Sequence, residues 1–229
     1  MNIQEKINQI GQHLTGNLSS DREYLLLELM EAKKTKADLL ILNAIYSFYY
    51  FCFAEREIDI LQRIIIEDPY NANNLTIAIK SLIQTKNIDR AIYLARVGID
   101  TIEEYFTKKE MYRPADGVEY RCFNNPIEEV LYALRNTKKV AMMKVDVNYS
   151  NLYAISGELN AETENYPQAI HDLEIALRWN PSNVDAIFSL AEVFRNKGDY
   201  EQYKDLNLST LLYIYKKERL AKTYYHLGV

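Results

Sequence analysis

Residues 153–200 read YAISGELNAETENYPQAIHDLEIALRWNPSNVDAIFSLAEVFRNKGDY, and this stretch gives the clearest indication of the architecture. It contains two helical patterns, a turn marked by proline, and then the first helical pattern again. Tyr166 recurs as Tyr200 after 34 residues, and Tyr153 recurs as Ile187 after the same interval. Repeats of this length built from helix, turn and helix are typical of helical solenoids. The stretch therefore predicts an all-α solenoid of antiparallel helix pairs.

The same interval occurs nearer the N-terminus, within residues 36–106. Four apolar residues of a first unit recur 34 residues later in a second unit: Ile41, Ala44, Ile45 and Phe48 become Leu75, Ala78, Ile79 and Leu82. Proline follows an aspartate at Asp68-Pro69 and an asparagine at Asn180-Pro181, where it would reset the chain between units. Residues 36–106 are therefore predicted to form two repeats.

Residues 1–35 lack the repeat pattern and predict an N-terminal helical cap. Two helices are expected there, separated by Gly16-Asn17, which marks a stop. Ser20 and Glu23 have the spacing of a capping box, so we expect the second helix to begin at Ser20 and to include 24–32.

The composition argues against several classes of function. The chain has 229 residues, of which 48% are hydrophobic and 26% are charged, so it can bury a large core. Its net charge of -5 argues against a nucleic-acid partner. No apolar run is long enough to predict a membrane span, and no secretory signal is evident at MNIQEKINQI. With only two cysteines, Cys52 and Cys122, the default location is the cytoplasm.

The chain resembles the tetratricopeptide repeat (TPR) family. The unit 150–183 matches best, with Tyr153, Gly157, Tyr166, Ala169, Leu173, Ala176 and Pro181 at positions that the family favours. The resemblance is strongest over 150–200, weaker over 38–104 and absent before 35. It departs at Tyr203, where the family usually has alanine. It implies a right-handed superhelix whose first helices line a concave groove.

The repeat register breaks once. The early units predict a third beginning near Phe106, but the later register begins at Ser150, which is 44 residues on instead of 34. The surplus is assigned to an insertion loop at 107–125. This loop is either a neutral surface loop or one that folds over the groove and brings Arg113, Asp116 or Arg121 near a ligand.

Further TPR-like helices and repeats are predicted over 126–229. Pro126 is expected to be the first residue of a helix. The valines of the stretch 138–147 are compatible with a strand, but the 34-residue repeat register favours a helix that ends near Lys144. A last helix at 218–227 lacks a partner. It is either a terminal cap or a sign that the chain continues past Val229, and its apolar face could form a homodimer contact.

No catalytic constellation, cofactor motif or metal-binding spacing is found, so an enzyme is not predicted. His13, His171 and His226 are scattered along the chain. The pairs His171-Asp172 and Glu128-Glu129 are predicted to be solvated charges on helix surfaces.

Groove residues follow from the TPR resemblance. Rigid aromatic side chains would anchor a partner, so Tyr46, Tyr49 and Phe188 are the preferred anchors, with burial in the core as the alternative. The full predicted groove comprises Leu42, Tyr46, Tyr49, Asn73, Thr76, Lys80, Ala154, Glu158, Asp185, Phe188, Glu192, Arg195 and Lys222.

The leading functional hypothesis is a protein–protein interaction module that holds a peptide or helix in this groove. A second hypothesis is a chaperone-like protein dedicated to one partner, and a third is an enzyme with a site at 107–125. Some TPR proteins clamp an acidic peptide end with Lys, Asn and Arg. Here Ala154, Glu158, Asp185 and Ser189 stand at those positions, which argues against that type of clamp.

Overall fold

The computed structural model describes residues 2–53, 71–112, 117–136 and 140–228. Within these ranges the chain is almost entirely helical, so the predicted all-α class of paired helices is confirmed. The helices are α1 (Ile3–Gln12), α2 (Leu18–Lys34), α3 (Leu39–Phe53), α4 (Asn71–Gln84), α5 (Ile88–Lys109), α6 (Pro126–Arg135), α7 (Tyr149–Glu162), α8 (Tyr166–Trp179), α9 (Val184–Asn196), α10 (Tyr200–Thr210) and α11 (Lys217–Leu227), and the strands are β1 (Val118–Arg121) and β2 (Ala141–Lys144).

The chain divides into two compact units, an N-terminal unit of residues 1–105 and a C-terminal unit of residues 106–229. In the N-terminal unit, α1 and α2 both pack on α3, and α3 packs on α4. This arrangement places the two predicted cap helices against the first helix of the first repeat. Their function as a cap stays a prediction.

The predicted capping box at Ser20 and Glu23 is wrong. Helix α2 begins at Leu18, and the Asn17 side chain accepts hydrogen bonds from the backbone N–H groups of Ser19 and Ser20. Asparagine is as good an N-cap as serine, so the helix starts as soon as Asn17 is available. A capping box does occur at α1, where Asn2 and Glu5 supply the two reciprocal hydrogen bonds.

The apolar residues that recur in the first two repeats form the core of the N-terminal unit. Ile45, Leu75, Ile79 and Leu82 are each 1% exposed or less. Helix α5 approaches α4 so closely that a Cβ atom at Gly98 would lie 1.9 Å from Leu75 Cδ2. The second helix expected for the first repeat falls within 54–70, outside the described residues.

The C-terminal unit contains the best-matched repeat. Helix α7 packs on α8, and α9 packs on α10. A Cβ atom at Gly157 would lie 2.5 Å from Leu173 Cγ, so glycine permits the close approach of the first pair. The turns inside the two pairs each contain a left-handed residue, Glu164 with φ 58° and Gly198 with φ 79°. These residues are 34 positions apart, so the sequence interval is reproduced in the backbone.

A β–α–β unit precedes this repeat and corrects two predictions. Strands β1 and β2 pair in parallel, with Val118 opposite Ala141, and α6 connects them. Part of the predicted insertion loop 107–125 is therefore a strand, and the helix expected to end near Lys144 is strand β2 instead. Parallel strands need a long crossover connection, and α6 lies in it. This helix begins at Pro126, as predicted.

Candidate partner-binding face

In the C-terminal unit, α7 and α9 are each the first helix of a helix pair, and α11 stands in the first-helix position of the next repeat. We call the surface that these three helices share the first-helix face. Side chains of α9 contact α11 residues that lie one repeat, 34 residues, further along the chain. Asp185 forms an ion pair with Arg219. The Lys222 ammonium lies 4.5 Å from the centre of the Phe188 ring. His226 Nδ1 lies 3.7 Å from Glu192 Oε1. The contacts therefore form a ladder with the 34-residue interval.

Charged side chains of α9 reach solvent. The Asp185 side chain is 61% exposed and the Arg195 side chain is 50% exposed. Arg195 forms an ion pair with Glu192 one turn earlier in α9. On the α7 side, the Ser189 hydroxyl donates a hydrogen bond of 2.8 Å to the exposed Glu158 carboxylate. The face thus presents carboxylates and cations side by side on three helices.

The predicted aromatic anchors belong to the core, which corrects their proposed role. Tyr46, Tyr49 and Phe188 are 2%, 1% and 3% exposed. Their rings fill the space between packed helices and offer almost no area to a partner. Of the other predicted groove residues, Thr76 and Ala154 are buried, Leu42, Asn73 and Glu192 are half-buried, and Lys80, Glu158, Asp185, Arg195 and Lys222 are exposed.

Arg121, predicted as a ligand contact of the insertion, is held within the protein. Its guanidinium lies 2.7 Å from the Glu119 carboxylate, and its Nε donates to the Tyr132 hydroxyl. The Tyr132 hydroxyl in turn donates to Glu119 at 2.7 Å. Arg121 thereby ties β1 to α6. Arg113 and Asp116 lie outside the described residues.

His226 connects α11 to α9 and α10 through contacts of its ring. Its Nδ1 lies 2.9 Å from Asn207 Oδ1 on α10, and its ring stacks on Tyr203 and meets the edge of Phe188. Burial lowers the pKa of His226 below its ordinary value of 6.5, because desolvation penalises the imidazolium. Glu192 opposes this shift, while Lys222 and Arg195 add to it.

This lowered pKa predicts that acid weakens the C-terminal unit. Between the folded pKa and 6.5 the unfolded chain binds the extra proton, so stability is complete above 6.5 and falls as the pH drops through that window. We expect the urea midpoint to fall from pH 7.5 to about 5.5, and this fall to shrink in His226→Phe. His171→Gln is the matched control, because the His171 side chain is 58% exposed. An unchanged pH dependence in His226→Phe would contradict the assignment.

Two carboxylates predicted to be solvated are buried. Asp172 is 2% exposed and accepts hydrogen bonds from Ser156 at 2.7 Å and Gln168 at 2.8 Å. Glu128 is 3% exposed and accepts from Asn180 Nδ2 at 2.7 Å. Both predictions were wrong because Ser156 lies on another helix and Asn180 in a distant turn, which the spacing within one helix does not reveal. Neither carboxylate is available as an exposed binding group.

Within the described ranges, no cluster of three or more His, Cys, Asp or Glu side chains is placed to hold a metal ion. A separate search of the same residues finds no helix that is both long and apolar enough to cross a membrane.

A model of a known protein family matches part of the chain. Residues 153–182 match the family model described as SHNi-TPR. The match covers α8 and most of α7, the helix pair on which Gly157 and Asp172 lie. No curated protein sequence matches the chain.

Proposed function

We propose, from the premise that this chain is a TPR protein, that it holds a peptide or helical segment of another protein on its first-helix face. TPR domains in general are interaction repeats without enzymatic activity, and we propose a non-catalytic role here. The observation that carries the proposal is the row of exposed charged side chains on successive first helices, at Glu158 on α7, Asp185 and Arg195 on α9, and Lys222 on α11.

Recognition on this face would rest on charge and hydrogen bonding. The carboxylates of Glu158 and Asp185 can accept from backbone N–H groups or from cations, and Arg195 and Lys222 can donate to carboxylates or carbonyls. Opposite charges lie close together, since Arg219 pairs with Asp185 and Arg195 with Glu192. Such a surface fits a partner segment of mixed charge better than a uniformly acidic or basic one. Phe188 would support the face from beneath.

Charge reversal of the face tests this proposal. We would capture partners from the source cell with the wild-type chain and with Arg195→Glu/Lys222→Glu, and quantify them by mass spectrometry. We expect specific partners to be reduced at least about tenfold, because like charges at an interface cost several kcal/mol. Arg178→Glu/Lys204→Glu is the matched control, since both residues are exposed on second helices, α8 and α10.

Equal recovery with the face variant and the wild-type chain would overturn the proposal. Melting curves of both double variants show whether a loss comes from unfolding instead. A single partner recovered in equal amount with the chain would favour the dedicated, chaperone-like role over a general peptide-binding module.

We further propose a cytoplasmic protein without a nucleic-acid partner. The net charge of -5 and the presence of only two cysteines support this proposal.

A homodimer through α11 also remains a proposal, supported by Leu220 and Tyr224, which are 37% and 44% exposed. Its test is the molecular mass in solution of the wild-type chain and of Leu220→Glu/Tyr224→Glu.

A further inference from the structure

Helix α6 of the β–α–β unit turns an apolar stripe outward. Ile127, Val130 and Leu134 are 48%, 55% and 76% exposed. At 100° per residue these three positions fall within about 60° of one another on the helix. The stripe is therefore a single surface. None of its residues belongs to α7, α9 or α11, the helices of the first-helix face.

The opposite side of α6 is fixed to the unit. Glu128 and Tyr132 are buried, and the Ser182 hydroxyl donates a hydrogen bond of 2.9 Å to the Glu128 carbonyl. Asn125, the N-cap of α6, donates at 3.2 Å to the hydroxyl of Tyr215 in the turn between α10 and α11. These anchors hold the helix in one orientation, so the stripe is presented in a defined position.

Basic groups stand at both ends of the stripe. Arg135 is exposed in the last turn of α6. At the other end Lys216 lies over the ring of Tyr215, which contacts the N-cap. On the flank of α6, Glu129 is paired with Lys144 at 2.7 Å. Arg135 and Lys216 therefore place positive charge at the two ends of the stripe, although the chain as a whole carries a net charge of -5.

We propose that the α6 stripe is a second interaction surface, which binds an amphipathic helix of another protein whose apolar side is bordered by Asp and Glu. A helix laid along α6 would bury Ile127, Val130 and Leu134 against its own apolar side. Its acidic residues would meet Arg135 and Lys216 at the two ends. Charge complementarity of this kind selects the partner and sets its register.

A second copy of this chain fits the surface poorly. In an antiparallel pair of α6 helices, Arg135 of one copy would meet Lys216 of the other at both ends. Like charges brought together at an interface are unfavourable. The positive charge at the two ends thus distinguishes an acidic partner from self-association.

The test uses two designed peptides of about 18 residues with the same leucine stripe, which differ only in having Glu or Lys on both borders of the stripe. Binding of each fluorescent peptide to the intact chain is measured by anisotropy. We expect the Glu peptide to bind at least about tenfold more tightly than the Lys peptide. Val130→Glu/Leu134→Glu is expected to abolish binding, and Arg135→Glu to reverse the preference between the peptides.

Ala133→Gln is the control, because Ala133 is exposed on α6 but lies off the stripe, and glutamine adds no charge to its border. It should bind the Glu peptide as the wild type does. Equal binding of both peptides, or binding that survives Val130→Glu/Leu134→Glu, would overturn the proposal. So would a stripe-dependent dimer in solution, or stripe-dependent binding to phosphatidylserine vesicles without peptide binding. Arg195→Glu/Lys222→Glu should leave peptide binding to α6 intact, which separates this proposal from the first-helix face.

Discussion

Phe188→Ala is expected to destabilise the C-terminal unit by about 3–5 kcal/mol, the usual cost of removing a buried phenylalanine. The ring is 3% exposed, and Lys222 and His226 of α11 both contact it. The truncation leaves a cavity under the first-helix face and removes two contacts that hold α11. The variant should therefore unfold at a lower urea concentration, and any loss of partner binding should follow from that instability.

Trp179 makes the measurement specific to this unit. It is the only tryptophan of the chain, and its ring packs 5.1 Å from Tyr149 and 5.5 Å from Tyr112. Its fluorescence therefore reports unfolding of the C-terminal unit. Tyr225→Ala is the matched control on α11, since Tyr225 is 83% exposed and should change stability by less than about 0.5 kcal/mol. If Phe188→Ala kept full stability but lost its partner, Phe188 would be an interface residue after all.

Glu128→Ala is expected to lower the free energy of unfolding by about 3 kcal/mol, because it leaves the buried Asn180 amide without its acceptor and removes two part-buried hydrogen bonds. The carboxylate accepts from Asn124 N at 3.0 Å, Asn125 Nδ2 at 3.1 Å and Asn180 Nδ2 at 2.7 Å. With the carboxylate removed, α6 loses its hydrogen bond from Asn180 in the turn between α8 and α9, and only the Ser182 hydrogen bond to the Glu128 carbonyl remains of the two. The β–α–β unit should then separate from the repeat more easily.

The neighbouring glutamate provides the control for this prediction. Glu129 forms a partly exposed ion pair with Lys144, and such pairs contribute about 1 kcal/mol or less. Urea unfolding followed by Trp179 fluorescence should therefore show a large shift for Glu128→Ala and a small one for Glu129→Ala. Equal shifts would mean that the buried hydrogen bonds add nothing beyond a surface charge.

The repeat could be predicted because its evidence is local and recurs. Tyr153 and Ile187 occupy equivalent places in α7 and α9, and Gly198 marks the same turn as Glu164. Pro126 gives the start of α6 by a rule that needs no tertiary contact. Helix periodicity, turn residues and proline were thus sufficient for the paired helices and for the order of the repeats.

The remaining features depend on contacts between residues distant in sequence. The burial of Glu128 follows from Asn180 and Ser182, which lie more than fifty residues further along the chain. Strands of four residues carry too little alternation to be distinguished from a loop or a helix end. From the sequence alone, Phe188 is compatible with a core position or a groove position, because a first helix carries both kinds of position.

The contacts of Glu128 with residues far along the sequence also affect how a newly synthesised chain folds. Translation proceeds from the N-terminus, so α6 leaves the ribosome before the turn at Asn180 that must hold it. Until that turn is made, the carboxylate of Glu128 lacks its Asn180 partner. The β1–α6–β2 segment is therefore expected to reach its final position only after the chain beyond Asn180 has been synthesised.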